Sequence, residues 1–142
     1  MKRAVLAFLA GFVATLTFHQ GVLWLFHAGH LTDRTPWVMK AVPPFGVPAV
    51  ISLAFCGGVW GVIMIPLIAR ARGFAYWLAA IAFGAVLPTL VAAFVVAPLR
   101  GQNMAGGGHA GKMLVFGLCV NGAWGLGTAI FYRVFSGLRW GR

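Results

Sequence analysis

Four long apolar stretches, separated by short connections, dominate this sequence of 142 residues. They run approximately over Ala4–Leu31, Pro48–Ala69, Phe74–Leu99 and Met113–Phe135. About 20 apolar residues suffice for a helix to cross the hydrocarbon core of a bilayer, and each stretch reaches that length. Only 8% of the residues are charged, against roughly 25% in a soluble domain. We therefore predict an all-α membrane protein with four transmembrane helices in a single domain, 1–142.

The charged residues are almost all basic and gather at the ends of the predicted helices. The net charge is +10, and Asp33 is the only acid. The side of the termini carries Lys2, Arg3, Arg70, Arg72, Arg133, Arg139 and Arg142, whereas the opposite side carries Arg34, Lys40, Arg100 and Lys112. By the positive-inside rule, this excess predicts that both termini are cytoplasmic. We expect a multi-pass protein of a bacterial inner membrane.

The basic charge also indicates which partners to expect. Bases at helix ends suit contact with anionic lipid headgroups, and there is no basic face with interleaved aromatics outside the spans to bind nucleic acid. The sequence has no paired carboxylates, phosphate loop or nucleophile elbow. Since Asp33 lies in a loop, a carboxylate relay inside the membrane is excluded. We predict a protein that is not an enzyme.

A short cassette occurs twice in the apolar sequence. Gly58–Gly61, which reads Gly-Val-Trp-Gly, returns 64 residues later as Gly122–Gly125, which reads Gly-Ala-Trp-Gly. In the first and third stretches, Ala7 and Gly11 align with Ala80 and Gly84 at an offset of 73, a weaker match. We predict two tandem helical hairpins, about 1–70 and 71–142. Because both start on the same side, they form a parallel repeat about an axis along the membrane normal.

Small residues around the cassettes predict close helix packing. The predicted faces contain Gly57 and Gly61 in the second stretch, and Gly117, Asn121 and Gly125 in the fourth. Small residues at spacing four let helix backbones approach in lipid. Trp60 and Trp124, beside these faces, either line a ligand groove or fill space over the glycines. The short turn Arg70–Gly73 predicts that the second and third helices pack as an antiparallel hairpin.

His19 and Gln20 lie near the middle of the first stretch. Polar groups in hydrocarbon are costly and are functional candidates by default. Asn121 lies at a comparable depth and is a possible partner. Two interpretations stay open: a polar ligand cavity between the first and fourth helices, or an interhelical hydrogen bond worth roughly 0.6–2 kcal/mol.

The first stretch also contains a pattern found in pigment proteins. Thr15, His19 and Leu23 follow one another at spacing four. This resembles the small-xxx-His-xxx-Leu pattern of bacterial light-harvesting helices, with threonine in place of the usual alanine, and implies His19 as a tetrapyrrole ligand. The other predicted helices contain no histidine. A bis-histidine haem therefore requires His19 from two copies of the chain.

A second candidate site lies at the outer end of the first stretch. His27, His30 and Asp33 recur every three residues, and His109 in the second outer loop is placed to fold over them. Imidazole and carboxylate groups suit Zn²⁺ or Cu²⁺. The alternative is that these are ordinary histidines of the membrane interface.

These observations favour a structural or accessory subunit that self-associates or joins a larger membrane complex. The basis is the number of small-residue faces and aromatics beside a lack of catalytic groups. A small-molecule binding protein or transporter, with a polar cavity near His19, Gln20 and Asn121, is the first alternative. A metal- or tetrapyrrole-binding membrane protein is the second.

Overall fold

Four long helices make up most of the molecule, which confirms the all-helical membrane prediction. The computed structural model describes residues 1–137, apart from the side chains of residues 105 and 106. The described residues are 77% helical, and each of the four helices is long and apolar enough to cross a membrane. Arg139 and Arg142, which entered the predicted charge distribution, lie outside the described residues.

The helices and strands have the following bounds. The helices are α1 (Lys2–Ala28), α2 (Ala49–Ile68), α3 (Phe74–Leu99) and α4 (Ala110–Ser136). Helix α1 contains a π-helical turn at Thr15–His19, α3 contains one at Ala92–Val96, and a 3₁₀ segment, Met104–His109, precedes α4. Two short antiparallel strands, β1 (Ala41–Val42) and β2 (Val47–Pro48), pair in the first long connection. We call the end of the bundle with the connections 29–48 and 100–109 the loop side.

The helix ends differ from the predicted ones by a few residues. Helix α1 ends at Ala28 rather than near Leu31, because His30 takes a left-handed conformation with φ 57°. Leu31 N–H then bonds to the Phe26 carbonyl at 2.9 Å, the six-to-one contact of a Schellman cap. Pro48 precedes α2 as its cap, with extended backbone angles, instead of lying in its first turn.

Helices α1 and α4 form the centre of the bundle. Helix α1 packs against both α2 and α4, and α3 packs against α4. Helices α2 and α3 are also in contact, but much less than these three pairs, so the predicted pairing of α2 with α3 is a minor contact of the bundle. The physical reason is that the glycine face of α2 lies against α1 and that of α4 against α3, while α2 and α3 meet through larger side chains such as Trp60 and Phe83.

Glycines set the distance between α1 and α2. A methyl group added at Gly61 would lie 2.5 Å from the Ala7 carbonyl oxygen and 3.2 Å from Gly11 Cα. One added at Gly11 would overlap the Gly57 carbonyl oxygen. These backbones therefore meet at a separation that only residues without a side chain permit.

The contact between α3 and α4 has the same construction. A methyl group at Gly84 would lie 2.6 Å from the Asn121 carbonyl oxygen and 2.7 Å from Gly125 Cα. One at Gly125 would overlap the Ala80 carbonyl oxygen. Backbone meets backbone here as well, and the pair α3–α4 is as intolerant of added volume as the pair α1–α2.

The two cassette tryptophans link the hairpins to each other. Trp124 of α4 is buried, and its indole N–H donates to the Gly11 carbonyl of α1 at 3.0 Å. The same oxygen accepts from Thr15 Oγ1 at 2.9 Å. Trp60 of α2 is half-buried, with its ring 6.1 Å from the ring of Phe83 in α3. Both tryptophans thus take part in packing between helices.

Candidate functional site beside the π-helical turn of helix α1

The π-helical turn of α1 presents a backbone carbonyl to another part of the chain. Thr15 and Thr17 bond back to the Gly11 and Val13 carbonyls at 2.9 and 2.8 Å, a pattern that competes with regular helical bonding and bends helices. Within the turn, the Leu16 carbonyl accepts the indole N–H of Trp37 at 2.9 Å. Single π-helical turns occur frequently at functional sites.

Gln20 follows this turn and is 3% exposed. Its Oε1 accepts the backbone N–H of Trp37 at 2.8 Å, and its Nε2 lies 3.4 Å from Nδ1 of His19. A polar amide at membrane depth needs partners within the protein, because hydrocarbon offers none. Of the predicted pair His19 and Gln20, Gln20 therefore bonds to the first long connection. Its partner there, Trp37, was not among the predicted site residues.

Trp37 lies where the connection folds back along α1. Its φ of 46° is in the left-handed region, where a bulky residue is a genuine outlier. Trp37 is 43% exposed, although its indole N–H and its backbone N–H both donate to α1. We call residues 32–40, which carry Trp37, the strap.

Both ends of the strap are fastened. Nδ1 of His27 lies 3.3 Å from the Thr32 carbonyl, at the end where α1 stops. At the other end, the Lys40 carbonyl accepts the N–H of Ala49, the first residue of α2, at 2.9 Å. The strap is therefore an ordered part of the molecule.

Arg34 connects the strap to α4. Its guanidinium lies 5.5 Å from the Phe116 ring centroid and its Nη2 lies 3.5 Å from the Met113 sulfur. The Phe116 ring in turn lies 5.4 Å from that of Phe26 in α1. The loop side is thereby closed across the two central helices by aromatic and cation–π contacts, each worth about 0.5–1 kcal/mol when exposed.

Asn121 bonds elsewhere than to His19. Its Nδ2 donates to Thr89 Oγ1 of α3 at 2.9 Å. Gly117, one turn earlier, also faces Thr89, since a methyl group there would lie 2.8 Å from Cγ2. The side chain of Gln20 thus bonds to the strap and that of Asn121 to α3, so Asn121 does not make the interhelical hydrogen bond with α1 that was one of the two predicted interpretations.

The residues predicted to bind metal do not lie together on one face of a helix. Helix α1 ends before His30, and His30, Asp33 and His109 are exposed. Within residues 1–137, no three side chains of the His, Cys, Asp and Glu types group closely enough to hold a metal ion. His27 instead contacts the Thr32 carbonyl.

Large apolar side chains remain exposed on the loop side. Leu31 is 73% exposed, Met39 67% and Phe45 85%. Phe45 lies at the tip of the hairpin β1–β2, between a cis Pro43–Pro44 bond and Gly46, whose φ is 66°. All of these lie outside the four candidate spans. We call Leu31, Met39 and Phe45 the apolar loop surface.

Sequence reasoning missed two residues that the structure makes prominent. One is Trp37, and the available signal was a large aromatic after a proline in a connection otherwise read as a linker. The other is Arg133, which in the sequence served only as one of the bases that predict membrane orientation. It is 6% exposed in α4, with its guanidinium carbon 4.3 Å from the Tyr76 ring centroid and 5.3 Å from that of Trp77. The apolar residues that follow Arg133 were the signal.

Comparison with models of known protein families, with curated proteins and with solved structures gives no match for this chain. What the chain does is therefore inferred from its own residues and their arrangement. The four spanning helices establish the coarse class, a small integral membrane protein.

Proposed function

We propose that this protein is a non-enzymatic accessory subunit of a bacterial inner-membrane complex. It binds a partner protein through the apolar loop surface, and the matching surface of that partner is apolar and acidic. The observation that carries the proposal is an ordered connection that leaves Leu31, Met39 and Phe45 exposed beyond the spans.

The position of these side chains is what distinguishes them from the other exposed apolar residues. Apolar side chains on the spans face lipid and need no other explanation. Outside the spans, large apolar side chains held exposed on a hydrogen-bonded connection favour an interaction site, and aromatic residues and methionine are enriched in such sites. The hydrogen bonds of Trp37 and Ala49 hold the strap and hairpin in place before a partner arrives, which lowers the ordering cost of association.

Charge indicates the chemistry of the partner. Four exposed bases lie in or next to the connections of the loop side, with a single acid, Asp33; the bases are Arg34, Lys40, Arg100 and Lys112. These four bases exceed the single acid Asp33 by three positive charges at this end of the bundle. Complementary charge speeds association and selects among partners, so an acidic surface is favoured.

Site-specific photo-crosslinking tests this function in the native membrane. A benzophenone side chain replaces Phe45 in one variant and Phe55, exposed on the lipid-facing surface of α2, in the matched control. We expect a discrete protein adduct from position 45, diminished by high salt, and only lipid adducts from position 55. Lipid adducts alone from position 45 would show an interfacial anchor and contradict the proposal. An adduct of twice the chain's mass would identify a second copy instead of an acidic partner.

We also propose that both termini are cytoplasmic and that the terminal side contacts anionic lipid headgroups. Lys2, Arg3, Arg70 and Arg72 are all exposed at that end, which supports both statements. In a variant with both cysteines replaced by alanine, a cysteine introduced at Phe45 should react with an impermeant maleimide in spheroplasts. A cysteine introduced at Arg72 should react only after lysis, and the reverse pattern would invert the orientation.

We further propose that the two hairpins are a structural repeat. The contact of Gly11 with Gly57 and Gly61 has its counterpart in the contact of Gly84 with Asn121 and Gly125. The paired positions are related by the offset of 73 between α1 and α3 and by the cassette offset of 64 between α2 and α4. Ala7 and Ala80 also correspond in this way, since each carbonyl faces the later glycine of its partner helix. Matching contacts at matching offsets support a duplicated hairpin.

A further inference from the structure

We propose that the two acceptors beneath Trp37 form a binding site for a membrane-soluble planar aromatic molecule with two hydrogen-bond donors. Trp37 occupies this site in the structure described here, as an internal substitute for the ligand. The site lies on α1, so this inference goes beyond the docking function and does not depend on it.

Neither acceptor is required for α1 to cross the membrane. The Leu16 carbonyl is presented by the π-helical turn, and Gln20 Oε1 belongs to a side chain that is 3% exposed. A regular helix with an apolar residue at position 20 would cross the bilayer without either group. A buried polar group without a hydrogen-bond partner costs free energy, and in the structure Trp37 donates to both acceptors.

The strap that supplies the two donors has features of a removable cover. Residues 32–40 form neither helix nor strand, and Trp37 adopts a φ of 46° that bulky side chains rarely take. The indole is 43% exposed, so a molecule approaching along the membrane interface meets the ring directly. Backbone outliers held by surrounding structure cluster at ligand clamps and switch regions.

The chemistry of Trp37 defines the ligand class. It presents a flat apolar ring, one ring N–H to Leu16 and one amide N–H to Gln20, with no charge. A competing ligand must replace both donors and cover the same surface. Neutral indole amides and dihydroxyarenes meet these requirements, whereas ions and saturated lipids do not. Displacement of Trp37 would release the middle of the strap from α1, while the contacts of Thr32 and Lys40 hold its two ends.

Binding of N-acetyltryptamine, which carries an indole N–H and an amide N–H, tests the inference. The chain is reconstituted in nanodiscs, and binding of radiolabelled probe is measured by equilibrium dialysis against empty nanodiscs. Trp37→Ala removes the ring and its donor to Leu16 but keeps the backbone N–H that donates to Gln20. Loss of the ring weakens the internal competitor, so affinity should rise about tenfold or more, as expected when the binding-competent fraction increases. Gln20→Leu should reduce binding to the level of empty nanodiscs. Trp24→Ala, at a 51% exposed tryptophan of the same helix, is the matched control and should bind as the unmodified chain does.

Three results would overturn the inference. They are equal binding by the unmodified chain and Trp37→Ala, retention of binding in Gln20→Leu, and equal binding of the indole-N-methylated probe, which lacks the ring donor. Circular dichroism checks that each variant is folded. If Trp37→Ala does not fold, Trp37→Phe retains the ring but loses the ring donor, and a rise in affinity for N-acetyltryptamine is again expected. Photo-crosslinking at Phe45 is read independently, so failure of one proposal is distinguishable from failure of the other.

Discussion

Gly84→Ala introduces a single methyl group where α3 meets the backbone of α4. That methyl would lie 2.6 Å from the Asn121 carbonyl oxygen, and 2.7 and 2.9 Å from the Cα and N of Gly125. Ordinary van der Waals contact begins at 3.4 Å, so the two helices must separate by about 0.8 Å. No rotamer change relieves the overlap, because every atom involved is backbone.

The cost follows from the packing lost along the interface. A radial gap of about 0.5–1 Å forfeits roughly a quarter to a half of the dispersion energy of each contacting atom pair. Overpacking of well-packed interiors typically costs about 1–3 kcal/mol. Against this, replacing glycine by alanine within a helix is favourable by up to about 1 kcal/mol. We therefore expect the free energy of unfolding to fall by about 1–2 kcal/mol in Gly84→Ala.

Gly21→Ala separates the packing cost from the propensity gain. Gly21 lies in α1, and a methyl group there meets nothing within 4 Å. Its unfolding free energy should therefore stay unchanged or rise by up to about 1 kcal/mol. Both variants are titrated with sodium dodecyl sulfate in dodecyl maltoside micelles, with helicity followed by circular dichroism. Stabilities within about 0.5 kcal/mol of each other would refute the claim that backbone contact at Gly84 sets the α3–α4 distance.

Further substitutions probe individual contacts by the same titration. Trp124→Phe should lose about 1 kcal/mol with its bond to the Gly11 carbonyl, whereas Trp60→Phe should lose less because phenylalanine keeps its ring contact with Phe83; equal losses would contradict this. Asn121→Ala and Thr89→Val should show a coupling energy of about 0.6 kcal/mol in a double-mutant cycle, and strict additivity would argue against their hydrogen bond. Arg133→Met should cost about 1–2 kcal/mol through the lost contacts with Tyr76 and Trp77, while Arg72→Met at an exposed position should be neutral; a neutral Arg133→Met would show that the cation–π geometry contributes nothing.

The spans and their close-packing faces were readable from the sequence for physical reasons. Hydropathy over 20 residues is set by the bilayer alone, so the four helices follow without knowledge of the fold. Glycines at spacing four have few uses in lipid other than close approach. Gly57 and Gly61 accordingly lie in such a contact, with Gly11 on the partner helix.

The choice of helix partners was harder to read. The short turn Arg70–Gly73 predicted contact between α2 and α3. The helices that lie side by side are instead those whose backbones meet at the glycine faces. Chain connectivity restricts this choice only weakly, because a few turn residues tolerate many relative orientations of the helices they join. The partner of Asn121 likewise depends on which helix lies beside it. In the structure α3 lies there, and the Asn121 amide donates to the Thr89 hydroxyl.

The strap was beyond sequence reasoning. Proline and glycine in the first connection indicate only that regular structure stops. The return of Trp37 to Gln20 spans 17 residues and depends on the π-helical turn, whose occurrence is not encoded by hydropathy. The Schellman cap at His30 also shortened α1, and this removed the helical spacing on which the predicted metal ligands relied.

The bond from Trp124 to the Gly11 carbonyl joins positions 113 residues apart. Ribosomal synthesis delivers α1 first and α4 last, so α1 waits in the membrane through the production of every other helix before its second neighbour arrives. Until then, α2 covers the glycine contact of α1, and the Gly11 carbonyl lacks the donor that Trp124 later supplies. A chain truncated after α3 therefore leaves the side of α1 that faces α4 without its neighbour.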